Sequence, residues 1–126
     1  MILDTTFIID FFCGRREAVA KMEELESGGG PILTTGISVY ETAQGLKTQR
    51  ESETAKEFFS NFMVLPLTRK SAWKAAIIQK KLRKAGLTIQ DEDAMIAGIA
   101  LSRNHAVLTR NTKDFSRVTG LKVETY

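Results

Sequence analysis

The chain has 126 residues, with 18 Lys plus Arg against 15 Asp plus Glu and a single Cys and a single His. That length predicts one domain spanning residues 1–126, which buries its own core without disulfides or structural metal. One Cys and one His exclude zinc fingers, Cys–His nucleophile pairs and paired-His nucleases, so any chemistry falls to carboxylates, hydroxyls or amines. The longest apolar run, Ala94 to Leu101, is well short of the roughly 18 residues of a membrane span. No basic leader with a cleavage site precedes Ile2, so the expected compartment is a reducing cytoplasm.

Short strand-like runs alternate with longer helical stretches, the pattern of an α/β domain with a mainly parallel sheet. Ile2-Leu3-Asp4 reads as the first strand and Thr5 to Phe12 as a short helix, broken by Cys13-Gly14 before a second helix over about Arg15 to Glu26. Cys13 reads as a small buried hydrophobe. Gly28-Gly29-Gly30-Pro31 marks a turn into a second strand, Ile32 to Thr35. Ser38 followed by Glu41 has capping-box spacing for a helix toward Lys47, and Ser52 or Thr54 restarts helix through Phe62. Met63 to Leu67 is the third strand, and Pro66 favours an edge position or a strand end because it donates no backbone hydrogen bond. Thr68 or Ser71 caps a long helix closed by Ala85-Gly86. Asp91-Glu92-Asp93 opens another, whose body is apolar on every side and so is expected to lie buried against the sheet. His105 to Thr109 is the fourth strand, Arg110 to Phe115 a loop with one helical turn, and Leu121 to Glu124 the fifth strand.

In an open parallel sheet the carboxyl ends of the strands are where ligands bind. Asp4 ends the first strand, Thr109-Arg110-Asn111 ends the fourth, Glu41 lies in the first turn of the helix after the second strand, and Asp91 and Asp93 open the helix before the fourth. Each has an ordinary structural role open to it: an Asx turn for Asp4 and Asp114, the capping box for Glu41, and the helix dipole for Asp91, Glu92 and Asp93. Converging on one rim, they would repel one another unless a cation neutralised them. Oxygen-only ligands select hard ions, Mg²⁺ or Mn²⁺. Against a phosphate substrate, such an ion polarises a phosphoryl oxygen and lowers the pKa of water without any histidine.

Four segments carry a resemblance: Met1-Ile2-Leu3-Asp4-Thr5-Thr6; Ser38-Val39-Tyr40-Glu41; Asp93-Ala94-Met95-Ile96-Ala97-Gly98-Ile99-Ala100; and Leu108-Thr109-Arg110-Asn111-Thr112-Lys113-Asp114-Phe115. In this order, spanning nearly the whole chain, they resemble the PIN-domain ribonucleases, and among those the VapC-type toxins of toxin–antitoxin pairs. The resemblance implies a three-layer α/β/α domain on a mainly parallel five-stranded sheet. It also implies metal-binding acids at Asp4, Glu41 and Asp93, with Thr5 or Thr6 supplying a hydroxyl. At the fourth position many relatives have an Asp where this chain has Asn111, while Asp114 matches a recurrent family acid. Asp91 would assist from the rim. The implied activity is an endoribonuclease in which Mg²⁺ or Mn²⁺ activates water for in-line attack, leaving 5′-phosphate and 3′-hydroxyl ends. A homodimer and a cognate antitoxin that blocks the cleft are implied as well. The Asn at 111 keeps open a second reading, a catalytically weak PIN-fold RNA-binding or regulatory module.

Between Pro66 and Gln90 lie seven basic residues and no acid. This is a solvated helix face or a surface that tracks RNA phosphates, with Lys80 the representative residue. Arg110, beside the expected site, and Arg15, after the first helix, are further candidates for gripping RNA. Trp73 and the Phe58, Phe59, Phe62 group, at helical spacing, read as core or dimer-interface residues. His105 reads as structural. The Gly triplet follows a helix and precedes a strand, the reverse of a dinucleotide-binding turn. Thr6 stands where a phosphatase with paired Asp residues would need its second acid, and the acid pair of a response-regulator receiver is missing.

Overall fold

Alternation along two very short strands decides the architecture. The computed structural model of the chain describes residues 1–126. In it β1 (Ile2–Leu3) pairs with β4 (Val107–Leu108) in parallel, Ile2 opposite Val107 and Leu3 opposite Leu108. Successive side chains of a strand point to opposite faces. Accordingly Ile2 and Val107 enter one core and Leu3 and Leu108 the other, all four fully buried. Strands β2 (Leu33–Thr35), β3 (Met63–Leu65) and β5 (Val123–Glu124) complete a sheet in the order β3-β2-β1-β4-β5, with every pairing parallel.

On the Ile2 face pack α5 (Arg69–Lys84), α6 (Asp91–Arg103) and α7 (Thr112–Phe115), through Ala75, Leu82, Ile96, Ile99 and Phe115. The Leu3 face is covered by α1 (Thr5–Phe12), α2 (Arg16–Ser27) and the end of α4 (Gln49–Ser60), through Phe7, Ile8, Met22 and the phenylalanines. The expected three-layer arrangement is what the chain adopts. Phe58 lies 4.9 Å from Phe12 and 4.7 Å from Phe62 between ring centroids, so the phenylalanine group belongs to the second core. As its apolar circumference requires, α6 is sandwiched between sheet and α5. Gly98 permits the close approach: a Cβ there would lie 2.5 Å from the Ser71 carbonyl oxygen and 3.0 Å from the Ala75 nitrogen. Asn104 ends α6 in the left-handed region at φ 56°. Strand β3 is at the sheet edge, as Pro66 indicated.

Several local expectations are corrected. The helix after β2, α3 (Gly36–Gln44), is capped not by Ser38 but by Thr35, whose hydroxyl accepts the Ser38 N–H at 3.1 Å. Thr35 is already extended, so the helix starts three residues earlier and Glu41 is released from any capping duty. α4 starts from Thr48, which caps Glu51, rather than from Ser52 or Thr54. Both candidates for α5 take part: Thr68 caps the Ser71 N–H while the Ser71 hydroxyl accepts the Thr68 N–H. Cys13 is exposed, because the chain turns there with Gly14 at φ 71°. Trp73 lies on the outer face of α5 and is 72% exposed, so it is not a core residue of the chain. No helix is long and apolar enough to cross a membrane.

The strand order runs outward from β1 to β3 and then resumes on the other side of β1 at β4. The crevice of such a sheet opens between the carboxyl ends of the two strands where the order reverses. Here those ends carry Asp4 and Thr109.

Candidate metal centre

Asp4 continues β1 by one residue, its N–H bonding to the Leu108 carbonyl at 3.0 Å, and occupies the N-cap position of α1. It is 2% exposed, and a carboxylate so placed needs partners. One of its oxygens, Oδ2, accepts from the Thr109 hydroxyl at 2.7 Å and from the Thr6 hydroxyl at 3.1 Å. Burial still outweighs these bonds and pushes its pKa up, although the backbone N–H groups of Thr5 and Thr6 also favour the anion. Thr109 is fixed in turn: its N–H bonds to the Glu124 carbonyl at 3.0 Å and its hydroxyl accepts the Asn111 N–H at 2.9 Å.

Glu41 reaches the same rim from α3. The Thr5 hydroxyl donates to its Oε1 at 2.7 Å, and burial, with the charges of Asp4 and Glu92, raises its pKa. Asp93, in the first turn of α6, is half-buried and raised from 3.8 to about 7, first by burial and then by Asp4, Glu41, Asp114 and Glu92. A helix N-terminus ordinarily lowers an acid's pKa; here the neighbouring acids and burial override it. Asn111 bridges the last pair, its Nδ2 donating to Asp93 Oδ2 at 3.2 Å and to Asp114 Oδ2 at 3.1 Å. The amide nitrogen must face the two carboxylates, since the carbonyl oxygen would be repelled by both. Asp114, on α7, is also 3.7 Å from Arg117 Nη1.

The chain therefore brings together Asp4, Glu41, Asp93, Asp114, Asn111, Thr5 and Thr6. Asn111 and Asp114 lie side by side there, joined by the Asn111 Nδ2 to Asp114 Oδ2 hydrogen bond. Asp91 stays at the rim: Gln79 Nε2 donates to its Oδ1 at 3.0 Å, and both acids at that edge, Asp91 and Asp114, line a cleft with Thr88 to Gln90. Arg110 and Arg15 do not contact the acids; both pair with Asp10, at 3.1 and 3.2 Å. Lys80 is exposed on the outer face of α5 and forms no ion pair or side-chain hydrogen bond.

Three residues of this neighbourhood have roles that the sequence did not assign to them. Glu92 adds charge to Glu41 and Asp93. Thr109 clamps Asp4, and its only sequence signal is its place at the end of a strand. Asp10 is a lone acid in the apolar stretch Phe7 to Phe12, itself a signal that a partner must exist.

The donor set suits a hard cation. The carboxylates and the Thr5 and Thr6 hydroxyls present oxygen, and the three acids whose pKa is raised would all be relieved by a positive ion. No three of the carboxylates close on a single point as a formed coordination shell does. The fit therefore lies in donor chemistry and charge.

A family model described as PIN domain matches residues 1–121. Ribonuclease VapC1 of Methanocaldococcus jannaschii is 29% identical, over 98% of this chain and 85% of that one. Ribonuclease VapC of Rickettsia bellii is 30% identical, over 99% of this chain and 95% of that one. Among solved structures, a toxin–antitoxin complex from Klebsiella pneumoniae contains a similar chain, 27% identical, with a TM-score of 0.79 and 98% of this chain and 95% of that one covered. The switch-point acids, the all-parallel sheet and these matches agree, and the chain belongs to the PIN-domain family, in its VapC branch.

Proposed function

We propose that the chain is an endoribonuclease dependent on a divalent cation and the toxin half of a toxin–antitoxin pair. The observation that carries the reading is the coupled acid cluster at the switch point. Four carboxylates come from four separate elements, one of them raised to about 7 by burial and then by the neighbouring acids. Such an arrangement costs stability and has no structural purpose that the fold reveals. Asp4, Glu41, Asp93 and Asp114 would hold Mg²⁺ or Mn²⁺, with Asn111 steadying Asp93 and Asp114 through its amide nitrogen. When bound, the cation supplies Lewis-acid polarisation of a phosphoryl oxygen and offsets the charge developing on it.

The remaining work belongs to the chain itself. Thr109 and Thr6 donate to the same oxygen of Asp4 and so fix the plane of its carboxylate. Thr5 orients Glu41 in the same way. Asn111 keeps Asp93 and Asp114 together by donating to both, so the missing fourth acid at position 111 is replaced by a bridge to an acid three residues on. This arrangement supports the catalytic reading over the second one, in which Asn111 leaves the site incomplete.

RNA as substrate is supported by the ribonuclease names of the relatives, and an antitoxin partner by the complex from Klebsiella pneumoniae. We assign a second copy of the chain to the edge of the sheet. There the edge strand β3 exposes Met63, the loop after it Leu67, and α5 Trp73 and Ile77.

RNA cleavage assayed with Mg²⁺ or Mn²⁺, with EDTA, and with Asp4→Asn tests the reading. EDTA should abolish cleavage, either ion should restore it, and Asp4→Asn should stay folded but inactive. Cleavage by Asp4→Asn at the parent's rate after rigorous purification defeats the assignment. Small phosphate esters assayed alongside should be poor substrates.

A further inference from the structure

Asp10 occupies the middle of α1 between Ile9 and Phe11, and it is 2% exposed. It is also the meeting point of three distant segments. Arg15 Nε, from the turn before α2, lies 3.2 Å from its Oδ1, and Arg110 Nη1, from the loop after β4, lies 3.1 Å from the same oxygen. Tyr126 donates its hydroxyl to Oδ2 at 2.7 Å. Two guanidinium groups thus share one carboxylate, and the cluster carries one surplus positive charge. The anchor is enclosed while the cations are not: the Arg15 and Arg110 side chains are 59% and 53% exposed, against 3% for Asp10.

We propose that Arg15 and Arg110, clamped by Asp10, form a seat for a backbone phosphate of bound RNA beside the acid cluster. In this role Asp10 is the positioning residue and the two arginines are the contact residues. The proposal rests on the ribonuclease reading above and adds to it where the strand is held. Each arginine spends one nitrogen on Asp10, and its side chain stays more than half exposed, which leaves guanidinium donors free for phosphate oxygens. Two cations held within hydrogen-bond reach of one oxygen repel each other, so an anion on their open side is favoured. The seat is coupled to the acids through the backbone. The Arg110 N–H donates to the Thr6 hydroxyl at 3.0 Å, and that hydroxyl donates to Asp4 at 3.1 Å. Its neighbours Thr109 and Asn111 hold Asp4 and Asp93. The Arg110 main chain is thus anchored at the acids, and its guanidinium extends from there to Asp10.

The competing role is purely structural, a clamp that ties the α1–α2 turn, the β4 loop and Tyr126 together. Salt dependence separates the two, because a lost phosphate contact changes the number of counterions released on binding, whereas a loosened fold does not. Binding of a fluorescein-labelled mixed-sequence single-stranded RNA to Asp4→Asn protein in Mg²⁺ would be measured by anisotropy across a salt series. Adding Arg110→Gln or Arg15→Gln should each make the slope of log affinity against log salt shallower by about 0.7, and the pair together by about twice that. Asp10→Asn in the Asp4→Asn protein keeps both cations, so it should not make the slope shallower; in the otherwise native chain it should lower kcat for cleavage. Tyr126→Phe removes one donor without touching the cations and serves if Asp10→Asn does not fold. Unchanged slopes in both arginine variants, in a chain that cleaves RNA, refute the seat and leave the ribonuclease reading standing. A native chain that neither binds nor cleaves RNA overturns both.

Discussion

Replacing Asp93 by Asn should make the metal-free protein more stable while removing its function. Asp93 has a folded-state pKa of about 7 against an ordinary 3.8. Below 3.8 the carboxyl is protonated in both states and carries no penalty. As pH rises from 3.8 to about 7 the unfolded chain gives up this proton while the folded chain keeps it, so stability falls, and above about 7 the full penalty is present. The ceiling is about 4 kcal/mol at roughly 1.4 kcal/mol per pKa unit, and solvent screening of this half-buried group brings it to about 1–2 kcal/mol. Asn keeps the shape and removes the charge. In EDTA at pH 8, Asp93→Asn should melt about 3–6 °C above the parent, and at pH 5 the gap should shrink to roughly a third. Saturating Mn²⁺ should reverse the order, since an ion at ~100 times its dissociation constant adds about 2.7 kcal/mol to a protein that binds it. The assay is differential scanning calorimetry at the two pH values with and without Mn²⁺. An Asp93→Asn protein that melts no higher than the parent at pH 8, or gains as much from Mn²⁺, refutes the coupled-site argument.

The other expectations concern the supports of the site and the exposed edge. Asn111→Asp exchanges two donated hydrogen bonds for a third carboxylate against Asp93 and Asp114; in EDTA it should lower stability by about 1–3 kcal/mol, while calorimetric titration should show tighter Mn²⁺ binding than in the parent. Gln79 satisfies both the carbonyl and the N–H of Ile89 and also bonds Asp91. Gln79→Ala should therefore cost about 2–3 kcal/mol and speed hydrogen exchange in Leu87 to Gln90, ahead of α6. Trp73→Glu should convert a homodimer to monomer in size-exclusion chromatography with light scattering, at an unchanged monomer fold by circular dichroism.

The architecture was legible because it follows from periodicity. Period-two alternation in Ile2-Leu3 and Val107-Leu108 assigns one side chain to each core, and the all-apolar circumference of α6 requires burial on every side. Helix starts were less so, because Thr35, Ser38, Thr48 and Ser52 are all competent caps and only the backbone selects among them. The capping-box spacing of Ser38 and Glu41 pointed to a local role, whereas the real partner of Glu41 is Thr5, 36 positions away. The same limit hid Thr109 as the clamp on Asp4 and Gln79 as the tether of Asp91. Pairings of that kind are made by the sheet order, and nothing in the neighbouring residues encodes them. The exposure of Trp73 and Cys13 shows the converse: an apolar residue type fixes a preference for burial, but which face is covered depends on what packs there.

The hydroxyl that grips Asp4 comes from a residue 105 positions later in the chain, and Asn111 and Asp114 follow it closely. A ribosome delivers these residues long after Asp4 and Glu41, and pairings this distant in sequence close late in folding. A partly synthesised chain holds Asp4 and Glu41 but not the groups that aim Asp4 or bridge to Asp93. The cleft is thereby assembled only once β4 and α7 have joined the sheet, so a chain stopped short of them carries Asp4 and Glu41 without a formed site.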